Sequence, residues 1–313
     1  MNGIELSRAF YEEYGKEMLH NSFPELEPLV AVGLVGSGSD CFGYDDEVSR
    51  DHDFEPGFCL FLPDENVVDR KAAFALERAY AKLPREFGGV KRSTMSPVGG
   101  NRHGVIRILD FYEAKVGSRD GNLSDTDWIR LPSYALAEAT NGEVFRDDYG
   151  LFTGIREKLL RMPEDIRKKK LAGNLLLMAQ AGQYNYRRCL AHRETGAAQL
   201  AVAEFVQATI QTVFLLNRAY CPYYKWSFRA MRGLEKLSSL SETLEFLLTS
   251  DNTESIAEAK YFVIEDIASM IISELMEQKL TAAICGDLEK HAYSINDQIA
   301  DPNLRNQNIF SAV

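Results

Sequence analysis

The stretch between residues 30 and 53 constrains the fold of this chain more than any other. An apolar run at residues 30–35 ends in the turn Gly36-Ser37-Gly38-Ser39, and the acid pair Asp51 and Asp53 follows. A short apolar run before a glycine-rich turn is typical of a buried strand. Because side chains alternate along an extended segment, both carboxylates would lie on one face, close enough to bind the same cation. The stretch therefore predicts a sheet with paired carboxylates beside a turn.

The turn at residues 36–39, called the Gly/Ser turn below, has a composition suited to phosphate. Gly36 and Gly38 let the backbone approach a ligand, and its N–H groups with the hydroxyls of Ser37 and Ser39 can hold phosphate oxygens. Carboxylates that bind metal beside such a turn make a centre for phosphoryl or nucleotidyl transfer. The alternatives are an ordinary tight turn and a solvated acid pair at a strand end.

The spacing separates this stretch from two other phosphate loops, because it lacks Gly-Lys-Ser/Thr and a Gly-x-Gly-x-x-Gly that opens a long helix. Gly38-Ser39 followed by Asp51-His52-Asp53 resembles the signature of the polymerase-β-like nucleotidyltransferase superfamily. Residues 43–47, 49–53 and 220–226 further resemble a bacterial group within it. In that group a nucleotidyltransferase-like domain precedes a helical domain related to those of aminoglycoside nucleotidyltransferases.

The resemblance implies a reaction that depends on Mg²⁺ or Mn²⁺. A nucleoside monophosphate would pass from a nucleoside triphosphate to an acceptor hydroxyl, with release of pyrophosphate. Asp51 and Asp53 would be catalytic metal ligands, and Gly36, Ser37, Gly38 and Ser39 would bind the nucleotide. ATP is the preferred donor, although the sequence does not distinguish it from GTP, CTP or UTP. A small-molecule acceptor is favoured over a protein side chain or an RNA end.

The superfamily normally carries a third carboxylate on a later strand, and here the pattern departs from the family. The polar position in the middle of the predicted strand 103–109 is Arg107, which neither binds a cation nor acts as a base at neutral pH. Asp110, just beyond it, is the candidate third catalytic carboxylate, and Arg107 would then face the nucleotide phosphates. Without a third acid, the domain would take a base from the helical domain, or bind nucleotide without transferring it as a regulatory protein.

Two segments of the predicted helical part, 182–188 and 220–226, concentrate aromatic and cationic side chains. Such side chains can stack a base and hold phosphates, so Asn185 and Lys225 are further candidates for nucleotide binding. The alternative is that the aromatic residues pack at the junction of the domains. Arg187 and His192 also have the Arg-x4-His spacing of helical ribonucleases, which leaves RNA cleavage as a second alternative function.

Hydrophobic periodicity divides the chain into two parts. The first part reads as helix 4–19, strand 30–35, strand 51–62 broken at Pro56-Gly57, helix 71–83, strand 103–109 and helix 110–115. Strands alternating with helices around one mixed sheet predict an α/β (α+β) nucleotidyltransferase domain at 1–124. After residue 125 nearly everything reads as helix, with apolar stripes at 200–216 and 263–275, which predicts an all-α helical bundle at 125–313.

Composition sets looser bounds. With 26% charged and 45% hydrophobic residues the chain has the balance of a globular protein, and no apolar run reaches membrane-spanning length. The acidic amphipathic start is unlike a signal peptide, so we expect a cytoplasmic protein with no membrane partner. A net charge of -11 disfavours a general nucleic-acid binder. Five scattered cysteines argue against disulfides or a zinc site, and a homodimer is left open.

Overall fold

The computed structural model describes residues 1–48, 54–92 and 102–313. These residues form two compact units. Unit one comprises residues 1–123 and 135–161, and unit two comprises residues 124–134 and 162–313. The two units are defined by their internal contacts, whereas a domain is a part of a chain that can fold alone. The predicted domain limits, 1–124 and 125–313, therefore stay a prediction.

Unit one contains the strands of the described chain. They are β1 (Ala31–Leu34), β2 (Cys59–Leu62), β3 (Glu86–Phe87), β4 (Val90–Lys91), β5 (Gly104–Arg107) and β6 (Glu143–Arg146). Four of them form a sheet in the order β5-β2-β1-β6, and β3 pairs with β4 separately. β1 runs antiparallel to β2 and β6, whereas β2 runs parallel to β5. The expectation of a mixed sheet with helices in this part of the chain is confirmed.

Helices make up most of the rest of the described chain. They are α1 (Gly3–Phe10), α2 (Lys16–Ser22), α3 (Arg70–Ala81), α4 (Ile108–Val116), α5 (Asp125–Arg130), α6 (Ser133–Thr140), α7 (Leu151–Leu160), α8 (Glu164–Met178), α9 (Tyr186–Ala191), α10 (Thr195–Leu216), α11 (Tyr224–Met231), α12 (Leu240–Thr249), α13 (Glu254–Glu277), α14 (Leu288–Asp297) and α15 (Pro302–Arg305). One π-helical turn, Tyr11–Gly15, joins α1 to α2, which confirms the helix predicted over 4–19.

The core of unit one lies on β1 and β2, whose residues are all buried. This confirms that the apolar run at 30–35 is a strand covered on both faces. Aromatic rings of the flanking helices complete the core, with Phe58 in edge contact with Tyr80 at a centroid distance of 5.1 Å. Complete burial of each large apolar side chain contributes about 1.5–3 kcal/mol. The strand that precedes the Gly/Ser turn is therefore fixed by the core.

Two expectations about secondary structure were wrong. The predicted strand 103–109 ends at Arg107, and Ile108 already belongs to α4. After residue 125 nearly everything was expected to be helix in an all-α bundle, and this was wrong at β6, which is an edge strand of the sheet in unit one. β6 forms because β1 offers its free edge, and a Cβ on Gly33 would lie 2.5 Å from the carbonyl oxygen of Glu143. Glycine in β1 thus permits the backbone of β6 to approach closely, and no local sequence pattern in β6 predicts this contact.

Unit two is a helical bundle, and α10 lies in its core. Val202, Phe205 and Val213 of this helix are completely buried. Among the residues that the structure describes, α10 is the one helix long and apolar enough to cross a membrane, and 67% of its most apolar window is buried inside the fold. That degree of burial is expected of a core helix, so the composition of α10 is explained by packing. The cytoplasmic location stays a prediction.

A second π-helical stretch, Ala179–Asn185, joins α8 to α9 into one continuous helix. Gly182 lies in this stretch and faces α10. A Cβ on Gly182 would lie 2.4 Å from Cδ2 of Phe205 and 2.9 Å from Cγ2 of Ile264. Because real Cβ atoms do not approach so closely, the helices pack at this distance only with glycine here.

Candidate functional site

The Gly/Ser turn leaves the sheet at the edge where β2 and β5 begin. In the antiparallel pair, Gly33 lies opposite Cys59, and in the parallel pair Cys59 lies opposite Gly104. The end of β1 and the starts of β2 and β5 therefore share one edge of the sheet, called the turn edge below. Gly36 and Gly38 have φ angles of 116° and 124°, which side chains with a Cβ rarely adopt. Glycine is thus required at both positions of the turn.

Ser37 belongs to a polar cluster with Lys115 of α4 and Glu138 of α6, called the Ser37 cluster below. The Lys115 ammonium donates to Oγ of Ser37 at 2.6 Å, and this hydroxyl donates to Oε2 of Glu138 at 2.6 Å. Lys115 Nζ also lies 2.5 Å from the same carboxylate oxygen. The side chains of Lys115 and Glu138 are each 20% exposed, so a ligand can reach them. An ammonium beside a hydroxyl on a glycine turn is a donor set suited to phosphate.

Asn141 fixes the first residue of the turn. Its Oδ1 accepts the N–H of Gly36 at 2.8 Å, and its Nδ2 donates to the carbonyl of Gly36 at 2.7 Å. This pair of bonds holds the backbone in place from both sides. It also engages the N–H of Gly36, which is therefore not free to donate to a ligand in this conformation.

The second half of the turn is closed by Arg102. Its guanidinium forms an ion pair with the buried carboxylate of Asp40 and donates through Nε to the carbonyl of Ser37 at 3.1 Å. A Cβ on Gly38 would lie 1.8 Å from Nη2 of Arg102, so the turn and the guanidinium are in direct contact. Ser39 is only 6% exposed. Of the two hydroxyls predicted to bind phosphate, that of Ser37 is the accessible one.

Two cysteines lie beneath the turn, and neither is suited to act as a nucleophile. Burial raises the pKa of the Cys41 thiol well above its ordinary value, and the nearby Asp40 carboxylate raises it further. Burial and Asp40 also raise the pKa of Cys59, to about 12. Since the thiolate is the reactive form, both side chains stay protonated and inert at neutral pH.

A histidine and a glutamate pair at the start of β5. Nδ1 of His103 lies 3.1 Å from Oε1 of Glu55, and the imidazole side chain is 8% exposed. A Cβ on Gly57 would lie 2.8 Å from Cγ and Nδ1 of His103, so the ring lies directly against the Gly57 backbone. Nε2 of His103 is buried and has no hydrogen-bond partner among residues 1–48, 54–92 and 102–313. The pair adds a titratable group to the turn edge that the sequence did not predict.

The remaining candidates of unit one lie elsewhere or outside the described residues. Asp51 and Asp53 lie outside them. Arg107 is opposite Leu62 at the far end of β5, where its Nη1 donates to the carbonyls of Pro63 and Val68 at 2.7 and 2.8 Å. Asp110 follows in the first turn of α4 and pairs with Arg119 at 3.0 Å. The register therefore separates Arg107 from the Gly/Ser turn by the length of β5, about 10 Å.

The other candidates belong to unit two. Asn185 ends the second π-helical stretch and is exposed. Lys225 is exposed in the first turn of α11, and its ammonium lies 5.2 Å from the centre of the Trp226 ring. Arg187, which was considered for RNA cleavage, stacks its guanidinium over Tyr261 at 4.4 Å. In the described chain, 1–48, 54–92 and 102–313, no three His, Cys, Asp or Glu side chains are grouped to hold a metal ion.

The described chain thus contains a mixed sheet that carries a glycine/serine turn, and a helical unit. Residues 128–227 match a family described as "Domain of unknown function (DUF4037)". The matched segment begins in α5, includes β6 and ends in α11. Searches of curated proteins and of solved structures gave no significant match.

Proposed function

We propose that the chain is a nucleotidyltransferase that moves a nucleoside monophosphate from a nucleoside triphosphate, with ATP preferred, to the hydroxyl of a small-molecule acceptor. The observation that carries the proposal is the Ser37 cluster: an accessible ammonium lies 2.6 Å from a hydroxyl on a turn that requires glycine. Pyrophosphate would be the leaving group.

The order of elements also supports the nucleotidyltransferase superfamily. A buried strand, the Gly/Ser turn, the acid pair and β2 follow one another in the chain, and β1 and β2 are neighbours in the sheet. Because the pair is antiparallel, chain that enters β2 does so at the turn edge. The described chain before β2, from Phe54 to Phe58, therefore enters the sheet at the edge that carries Ser37.

Asp51 and Asp53 are the residues that would hold Mg²⁺, since carboxylate oxygens are the ligands this hard cation prefers. When bound, the ion would offset charge on the phosphates during transfer. Lys115 would bind a phosphate oxygen in place of Glu138, and the Ser37 hydroxyl would donate to the same phosphate. The guanidinium of Arg102 would keep the turn in shape through Asp40 and the Ser37 carbonyl. These contacts orient the triphosphate for attack by the acceptor.

The test is pyrophosphate release from each of the four nucleoside triphosphates with Mg²⁺, with and without a metabolite extract as a source of acceptor. We expect release to require Asp51 and Asp53, so that the double variant Asp51→Asn/Asp53→Asn loses it. The double variant Asp125→Asn/Asp127→Asn changes an acid pair of the same spacing in α5 and is expected to keep the activity. Nucleotide binding without release in every condition would contradict transfer and indicate a regulatory binding protein.

A further inference from the structure

Three tyrosines of unit two lie in mutual contact on the surface. Tyr134 and Tyr223 pack edge to face at a centroid distance of 5.6 Å, and Tyr223 lies 4.5 Å from Tyr224 at an interplanar angle of 48°. Tyr134, Tyr223 and Tyr224 are called the tyrosine cluster below. Their exposed fractions in the folded chain are 42%, 44% and 74%. Clustered rings that remain exposed are unusual on a surface, because burial of each ring would stabilise the fold.

The cluster is held in place by the backbone beneath it. Tyr134 lies at the start of α6, whereas Tyr223 is the N-cap residue of α11 and Tyr224 its first residue, far along the chain. The N–H of Cys221 donates to Oγ of Ser133 at 2.7 Å and joins the two segments directly beside the rings. Cys221 itself is buried. The backbone that carries the rings is therefore fixed, and a ligand would not have to order the rings before it binds.

The lysine Lys225 lies next to the tyrosine cluster in the chain. Lys225 follows Tyr224 in the first turn of α11, is exposed, and has its ammonium 5.2 Å from the Trp226 ring. Exposed Tyr224 and exposed Lys225, adjacent in the chain, offer two different interactions: the tyrosine ring can stack on a planar ring, and the ammonium can bind an anion. A planar aromatic ring that carries a phosphate matches both.

We propose that the tyrosine cluster binds the base of a nucleotide. The Tyr224 ring would stack on the base, and the Lys225 ammonium would bind the phosphate. The site is defined by residues of unit two alone and requires neither metal nor transfer chemistry. It adds Tyr134, Tyr223 and Tyr224 to the binding residues and assigns a ligand class to the ends of the segment matched at 128–227.

The test is equilibrium dialysis of the full chain with AMP in excess EDTA, which removes any contribution from bound Mg²⁺. We expect saturable binding that Tyr224→Leu weakens about 5- to 150-fold, the range for loss of one base–aromatic stack. Tyr224→Phe is expected to keep the affinity, because it keeps the ring. Tyr293→Leu, which changes an exposed tyrosine of α14, is expected to have no effect.

Competition with labelled AMP separates the two interactions. Ribose 5-phosphate, which has no base, is expected to compete poorly, and phenyl phosphate to compete more weakly than AMP. Lys225→Met is expected to weaken binding of AMP while leaving adenosine unchanged. Absence of AMP binding, or equal binding by the native chain and Tyr224→Leu, would overturn the proposal. Because transfer at Asp51 and Asp53 is measured with Mg²⁺, the two proposals fail independently.

Discussion

Lys115 is the side chain on which the candidate site of unit one depends most directly. It reaches Ser37 across 78 residues of sequence and shares the Glu138 carboxylate with the Ser37 hydroxyl. In this arrangement the Glu138 carboxylate keeps the Lys115 ammonium directed at the turn. A hydrogen bond to a charged partner typically contributes about 1.5–3 kcal/mol.

Replacing Lys115 by methionine removes the charge and keeps much of the side-chain volume. We expect Lys115→Met to weaken the binding of ATP with Mg²⁺ about tenfold or more, measured by isothermal titration calorimetry. Lys82→Met, which changes an exposed lysine of the same unit, is the control and is expected to bind ATP like the native chain. Equal affinities of Lys115→Met and the native chain would remove the Ser37 cluster from the nucleotide site.

At the scale of elements, the central packing of unit two depends on the close approach of two helices. The π-helical stretch places Gly182 against Phe205 of α10, and an added methyl group would meet the ring at 2.4 Å. The Phe205 ring has no room to move away from an added methyl group, because it is completely buried. Overpacking of this kind typically costs about 1–3 kcal/mol.

Gly182→Ala is therefore expected to lower the free energy of unfolding by about 1–3 kcal/mol, measured by urea denaturation. Gly196→Ala is the matched control, since Gly196 lies in the first turn of α10 and an added Cβ there would meet no atom within 4 Å. This control is expected to be neutral or slightly stabilising, because alanine favours helix more than glycine does. A stable Gly182→Ala variant would mean that the two helices can separate without cost.

Local patterns predicted some elements and not others. The apolar run at 30–35 and the glycines of the turn were predictable because burial and positive φ are required at the positions themselves. Glu138 and Asn141 were not, since their bonds to the turn span 101 and 105 residues. β6 was missed for the same reason: its partner is β1, and an edge strand of four half-buried residues carries little pattern of its own.

At the scale of the whole molecule, stability is expected to depend on pH through Lys170, a partly buried lysine of α8. The Lys170 ammonium donates to the carbonyl of Ile129 at 2.9 Å, and burial lowers its pKa from the ordinary 10.5 to about 8. In the unfolded chain the lysine keeps its proton up to about pH 10.5. The unfolded state therefore binds more protons between these two values, and the contribution of Lys170 to stability rises with pH across this window.

The measurement is the free energy of unfolding of the native chain and of Lys170→Met from pH 7 to pH 10.5. We expect the native chain to gain roughly 1–3 kcal/mol relative to the variant between pH 8 and pH 10.5. Effects of the buried cysteines are common to both proteins and cancel in the difference. Lys168→Met, whose lysine donates to the Gln298 carbonyl, serves as the control. A difference that does not change with pH would contradict the lowered pKa.

The position of β6 has a consequence for the order in which the molecule is made. During synthesis β1 is complete after residue 34, but its antiparallel neighbour on one side, residues 143–146, is made more than a hundred residues later. Until then the nascent sheet has β1 as an open edge, and exposed strand edges pair with other chains. Chains released early, for example near residue 124, would thus be prone to aggregate, whereas completed chains would have this edge closed by β6.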